Sequence, residues 1–296
     1  MQTKINKQYE IKLHEQLLKL FHSVDSRRFR NRLGPKIFCQ FQRFALIVLF
    51  KRSGKALRKF IKELPESRWV RFLGLREIPS KSSLNRWLQE YTLADLRKLI
   101  VKTTVREEPS TMAIDATGID SWQRSRHYER RIGEPNMPYA KLDVLIDTET
   151  LLIYDYVLRM RPRHDVIGAE SIFRRIRLKD VKVIGDKGYD SEHLHEIADE
   201  KGFELFAPVR NSPRKSPKGH FRKRCAKGDP QYSRRNTVES AIHSLKSQVR
   251  FLRSKLHYMK KREIAVGILV YNLEKIIEAL QQIIIELVKM SKISIA

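Results

Sequence analysis

Tyr232, Arg235, Glu239 and Lys246 lie in the stretch YSRRNTVESAIHSLK: a phenol, two cations and a carboxylate at intervals of three, four and seven residues. On a helix these side chains fall at roughly 0°, 300°, 340° and 320°, a stripe about 60° wide. The neighbouring stripe carries Val238, Ile242, Leu245 and Val249, apolar residues that would bury against a core. Glu239 is therefore expected at the rim of that core, where a site can open. A solvated helix laced with i,i+4 ion pairs would show the same spacing. What the rest of the chain offers such a carboxylate decides between the two.

Two short apolar runs upstream end on aspartates. Residues Thr111-Met112-Ala113-Ile114 lead to Asp115 and the small residues Ala116-Thr117-Gly118. Val181-Lys182-Val183-Ile184-Gly185 leads to Asp186 and then Lys187-Gly188-Tyr189-Asp190. Both read as buried strands whose C-terminal ends present an acid. The glycines around Asp186 permit a sharp turn or close backbone approach. Asp190, before SEHLHEIADEKG, reads instead as a helix N-cap. Neither Asp115 nor Asp186 opens a clear helix at once. Two strand-end carboxylates and one on a helix suit a pair of hard divalent cations. Oxygen ligands favour magnesium, and two ions about 3.5–4 Å apart can activate water and stabilise a leaving oxygen in phosphoryl transfer.

The elements that must position these residues follow from periodicity. Residues 141–146 and 151–158 read as strands around the turn Asp147-Thr148-Glu149-Thr150, so with 111–115 they form an antiparallel meander. A helix at 165–176, a strand at 181–185, a helix at 191–201 and a strand at 203–206 then lead to the Glu239 helix. Meander followed by α/β alternation predicts a mixed sheet with helices on both sides. The first third reads as all helix, beginning with Leu13, Leu17, Leu20 and Phe21 at helical period. Ser80 or Ser82 can cap a short helix exposing Lys81, Asn85 and Arg86, the layout of a helix-turn-helix recognition helix. A plain helical bundle remains the alternative.

Charge narrows the partner. The 296 residues carry a formal net charge of +26, which points to a polyanion, above all nucleic acid. Residues 27–62 hold twelve Lys or Arg and no Asp or Glu. Residues 207–235 hold ten Lys or Arg against one Asp, with four prolines, and read as a long basic loop able to close over phosphates. Trp122 and Tyr128 offer planar surfaces for an unstacked base. The longest apolar run, Phe44 to Phe50, is seven residues, far short of a bilayer span. The two cysteines, Cys39 and Cys225, make neither a disulfide framework nor a cysteine zinc site. His193 and His195 sit two apart on a helix, do not share a face, and read as surface residues. Leu269, Leu273, Ile276, Leu280, Ile283, Leu287 and Met290 recur at spacings of 4, 3, 4, 3, 4 and 3, a coiled-coil seam of which Val266 to Ile277 is expected to pack onto the sheet and Leu280 to Met290 to join two copies.

Asp115, Asp186 and Glu239 resemble the DDE triad of insertion-sequence transposases with a ribonuclease-H-like catalytic domain. The spacing of Tyr232, Arg235, Glu239 and Lys246 is similar to the YREK signature of insertion sequence families 4 and 5. GDKGYDS resembles that group's second-aspartate motif, AIDATGI its first, and IPSKSSLNRWL its pre-catalytic segment. The long basic insertion departs from the pattern. The resemblance implies an α/β fold, with a ribonuclease-H-like catalytic domain at 109–262, a basic all-α DNA-binding domain at 1–108 and a C-terminal helix at 263–296. It implies that Asp115, Asp186 and Glu239 hold two magnesium ions, with manganese as a substitute, and cut and join DNA. Tyr232, Arg235 and Lys246 would hold DNA phosphates, joined by Lys81, Asn85, Arg86 and Trp122. The implied partners are the element's terminal inverted repeats, target DNA and a second copy of the chain, in a prokaryotic cytoplasm at the nucleoid and not at a membrane. A nuclease that cuts without joining, or a silent repressor derived from such an enzyme, would share much of this sequence.

Overall fold

The computed structural model describes residues 2–24, 37–104, 109–120, 140–160, 164–210, 217–249 and 252–293. The chain divides into two compact units, Met1–Thr103 with Ala265–Ala296, and Thr104–Ile264.

The first unit is helical: α1 (Gln2–Val24), α2 (Gln40–Arg52), α3 (Leu57–Glu63), α4 (Trp69–Phe72), α5 (Lys81–Glu90) and α6 (Leu93–Thr104). The last helix of the chain, His257–Ile293, contributes its residues from Ala265 onward. It starts six residues before the expected position of 263. In α1 the buried residues Leu13, Leu17, Leu20 and Phe21 fall at the predicted period. Phe44 to Leu49 of α2 are six consecutive buried residues, so every side of that helix is covered and it forms the unit's centre. Cys39 closes its N-terminus in a capping box with Gln42. Ser80, rather than Ser82, caps α5 by accepting from the Ser83 amide at 3.1 Å. Leu84 and Trp87 are buried while Lys81, Asn85 and Arg86 are exposed. Among the described residues no helix is long and apolar enough to cross a membrane.

The second unit is built on a five-stranded mixed sheet of order β3-β2-β1-β4-β5. Its strands are β1 (Thr111–Ile119), β2 (Ala140–Asp147), β3 (Ile153–Arg159), β4 (Lys182–Gly185) and β5 (Glu204–Phe206). The first three form the expected antiparallel meander, and β4 and β5 run parallel to β1. Helices α7 (Asp165–Phe173), α8 (Glu192–Lys201), α9 (His220–Cys225) and α10 (Asn236–Val249) flank it. This is the mixed sheet and helix order anticipated for a ribonuclease-H-like unit. Met112, Ile114 and Leu145 on one face of the sheet meet Ile172, Phe173 and Ile197 of α7 and α8 in one core cluster. Truncating Phe173, edge-on to Phe203 at 5.1 Å, would cost about 3–5 kcal/mol.

Five local expectations need correction. Strand β1 does not end at Asp115; it runs on to Ile119 because β2 pairs with it as far as Ile119↔Ala140. The 207–235 segment is not simply a loop, since α9 and a 3-10 turn at Pro230–Arg235 occupy its C-terminal half. The Tyr232–Lys246 stretch is not one α-helix: Pro230 and the Asp229 cap, 2.8 Å from the Gln231 amide, start a 3-10 turn, and α10 begins at Asn236. Ser191, not Asp190, takes the N-cap position of α8, and His195 on that helix is 2% exposed rather than on the surface.

Candidate active site

Parallel pairing of β1 with β4 stops where Ile114 faces Gly185. The next residue on each strand is an aspartate, so Asp115 and Asp186 emerge side by side at the carboxyl end of β4. Ligands in α/β sheets gather at such ends. Strand alternation sends Asp115 to the face opposite the Ile114 core, towards α10, which packs on β1. Val238, Ile242, Leu245 and Val249 of α10 are buried, as their spacing required. That seating leaves Glu239 outward, its side chain 65% exposed.

Arg235 joins the two. One guanidinium nitrogen lies 3.3 Å from Asp115 Oδ2, the other 3.6 Å from Glu239 Oε1. Burial raises the Asp115 pKa. The Ala116 amide at 2.8 Å and Arg235 oppose that rise, and the charges of Asp186 and Asp165 add to it. Asp186 accepts the Gly188 amide at 2.7 Å and so caps the 3-10 turn Lys187–Tyr189. Tyr232 sits in the other 3-10 turn, its ring edge-on to Phe206 with centroids 5.7 Å apart, and Lys246 is exposed on α10. Lys81, Asn85 and Arg86 belong to the helical unit. Trp122 and Tyr128, and residues 27–36 of the basic block, lie outside the described residues.

Sequence reading missed a second layer of acids. Asp165, at the start of α7, pairs with Lys141. A side-chain carbon added to Gly188 would stand 2.7 Å from Asp186 Oδ1 and 2.9 Å from Asp165 Oδ2, so only glycine lets these two carboxylates close on the turn. Asp143 of β2, fully buried, is gripped by the Arg159 fork at 2.8–3.0 Å. Burial pushes its carboxyl up to about 6 against the pull of Arg159. Arg159 also donates to the His164 carbonyl at 2.8 Å, which holds the start of α7, and with it Asp165, in place. Tyr189 is wholly buried, and among the described residues its hydroxyl has no hydrogen-bond partner. Burial first, then the charges of Asp143, Asp165, Asp115 and Asp186, raise its pKa. A signal was available in the sequence: Asp143 interrupts an apolar strand, LDVLI, where only a paired acid is tolerated.

Hard oxygen donors of this kind suit magnesium or manganese. Among the described residues no group of three or more His, Cys, Asp or Glu is already arranged to hold a metal ion. Asp115 and Glu239 meet through Arg235, a cation between two anions, and carboxylate oxygens of this kind are donors that fit a divalent ion.

Residues 106–273 match the family model described as Transposase DDE domain. No curated protein matches the sequence. Among solved structures, one similar chain comes from a cryo-EM structure of the piggyBac transposase synaptic complex with hairpin DNA. It is 11% identical over 88% of this chain and 70% of that one, with a TM-score of 0.43. Another, from the Drosophila P element transposase strand transfer complex, is 15% identical over 67% of this chain and 48% of that one, with a TM-score of 0.34.

Proposed function

The chain belongs to the transposase DDE domain family, and on that premise we propose that it is a prokaryotic insertion-sequence transposase of the family 4/5 type. It cuts DNA at the ends of its element and joins the freed ends to a target. The observation that carries this reading is the convergence of Asp115 and Asp186 at the end of β4, with Glu239 drawn to Asp115 through Arg235. Asp115, Asp186 and Glu239 would hold divalent ions, magnesium or manganese, which supply charge to activate the attacking oxygen and neutralise the leaving one.

The chain's own residues do the remainder. Arg235 balances the acids it touches, and its forked guanidinium equally suits a backbone phosphate. Lys246 adds a point charge further along α10, and Tyr232 offers a hydroxyl to the same strand. Water attacks the scissile phosphorus in line, and the freed 3′-hydroxyl then attacks the target, so no covalent link to the protein is needed. Lys81, Asn85 and Arg86, exposed on a capped helix, and Trp122 contact duplex DNA around the terminal repeats. Residues 1–108 anchor the element end and residues 109–262 cut it, in the cytoplasm at the nucleoid. Two ends must be held together; Ile283 and Leu287 of the last helix, 53% and 58% exposed, are the contact proposed between two copies.

Joining is the test. Purified protein, magnesium, pre-cut element ends and a supercoiled target should yield end-to-target products. Cutting without joining would leave a nuclease, and binding without cutting a repressor.

A further inference from the structure

The basic 207–235 segment was expected to act on DNA, yet several of its arginines, Arg210 and Arg222 among them, are spent on the protein itself. Arg210 donates to the Lys187 carbonyl at 2.7 Å and the Gly188 carbonyl at 2.9 Å, the turn that Asp186 caps. The Arg210 amide donates to Asp190 Oδ2 at 2.9 Å. Arg222 closes on the same carboxylate through both arms of its fork, at 2.6 and 2.8 Å. The Asp190 side chain is 0% exposed. The amides of Phe221 and Arg222 in turn bond to Glu192 at 3.0 and 3.1 Å, which seats the start of α9 on the start of α8. A circuit of charge-assisted bonds thus runs from the turn through Arg210 and Asp190 to Arg222 and back to α8. Tyr189 packs the turn from the inner side, against Gly185. Its outer side is held by Arg210.

We propose that Asp190, Arg210 and Arg222 form a brace that positions Asp186, so that part of the basic insertion serves as a positioning element of the acidic site rather than as a DNA contact. This rests on the transposase reading for its effect on catalysis but not for its structural content. An error of about 1 Å in a catalytic group can lower a rate about 10²-fold, and a 3-10 turn held by a few hydrogen bonds is easily displaced by that much.

Arg210→Ala is the first variant, because Arg210 is exposed and its loss leaves the core intact. Single-turnover cleavage at saturating protein should fall about 10- to 100-fold. Affinity for uncut element-end DNA should stay within about twofold, and the slope of log K against log salt should move by far less than the ~0.9 of one lost phosphate contact. Asp190→Asn should reproduce the pattern. A lower affinity with a slope reduced by about 0.9 would make Arg210 a phosphate contact and overturn the brace, as would an unchanged rate. Amide hydrogen exchange at Gly188 in the full-length protein reads the brace without catalysis and should speed up at least tenfold in both variants. If the intact protein cut no DNA, the transposase reading would fall while exchange still decided the brace: unchanged exchange rejects it.

Discussion

The two ends of the second unit's sheet handle charge in opposite ways. Where β1, β4 and β5 begin, a cavity of about 570 Å³ is lined by Thr111, Lys182, His195, Phe221, Arg224 and Cys225 among others. Its cations are matched: Lys182 lies 2.7 Å from Asp229 and 3.9 Å from Glu204, and Arg224 also pairs with Glu204. His195 stacks on Phe221 with planes 6° apart and lies 3.8 Å from Cys225 Sγ. Burial disfavours the charged form of both, lowering the imidazole pKa and raising that of the thiol. At the opposite end Asp115, Asp165, Asp186 and Glu239 gather, with Arg235 and Lys141 as pairing cations. Matched charge is what a folding contact needs. Crowded acids repel one another: burial raises the Asp115 pKa, and the charges of Asp186 and Asp165 add to that rise. One sheet therefore carries a closed end and an open end.

The largest effects should separate those ends. Asp115→Ala, Asp186→Ala and Glu239→Ala should each lower cleavage at least ~10³-fold, about 4 kcal/mol of barrier, while leaving DNA binding nearly intact. A variant that still cut at the wild-type rate in magnesium would remove its residue from the open end. Next comes Arg159→Ala, which leaves Asp143 buried without its fork. Thermal or urea unfolding should show a loss of about 3 kcal/mol. A loss under about 1 kcal/mol, the scale of a surface pair, would mean that Asp143 folds in protonated and uncharged.

Smaller effects belong to the closed end. Burial depresses the folded-state pKa of His195 below its ordinary 6.5. Above that pH neither state binds the proton. As pH falls below 6.5 the unfolded chain takes it up first, so stability must drop, by at most ~1.4 kcal/mol per pH unit. Replacing His195 with Phe should flatten this limb below about pH 6.5; an unchanged limb assigns it to other groups. Lys182→Ala is the mildest change, because its 24% exposed side chain is partly screened by solvent: under about 1 kcal/mol, with cleavage unaltered. A tenfold loss of cleavage in that variant would show that the two ends are coupled.

Much of this arrangement was readable in the chain, and particular residues show why the rest was not. Val238, Ile242, Leu245 and Val249 predicted which side of α10 is buried, because a helix repeats every 3.6 residues whatever surrounds it. The capped helix after Ser80 and the meander before α7 were visible for the same local reason. The break at Arg235 was not, although Pro230 announced it: a wheel drawn from Tyr232 assumes one continuous α-helix. His195 was expected at the surface because nothing in SEHLHEIADE says that Phe221 will lie on it.

Residue type and spacing alone determined the acids and their strands, the turn glycines, the helical first third and the excess of positive charge, since each is a property of a short window. Tertiary structure decided which cation meets which acid. Arg235 and Asp115 are 120 positions apart and Arg222 and Asp190 are 32 apart. In a chain with 60 Lys or Arg and 34 Asp or Glu, pattern cannot choose among so many possible pairs. The choice is made by burial, which makes an unpaired charge too costly to keep, and by the pleat that turns Asp115 to α10 and Asp143 to α7.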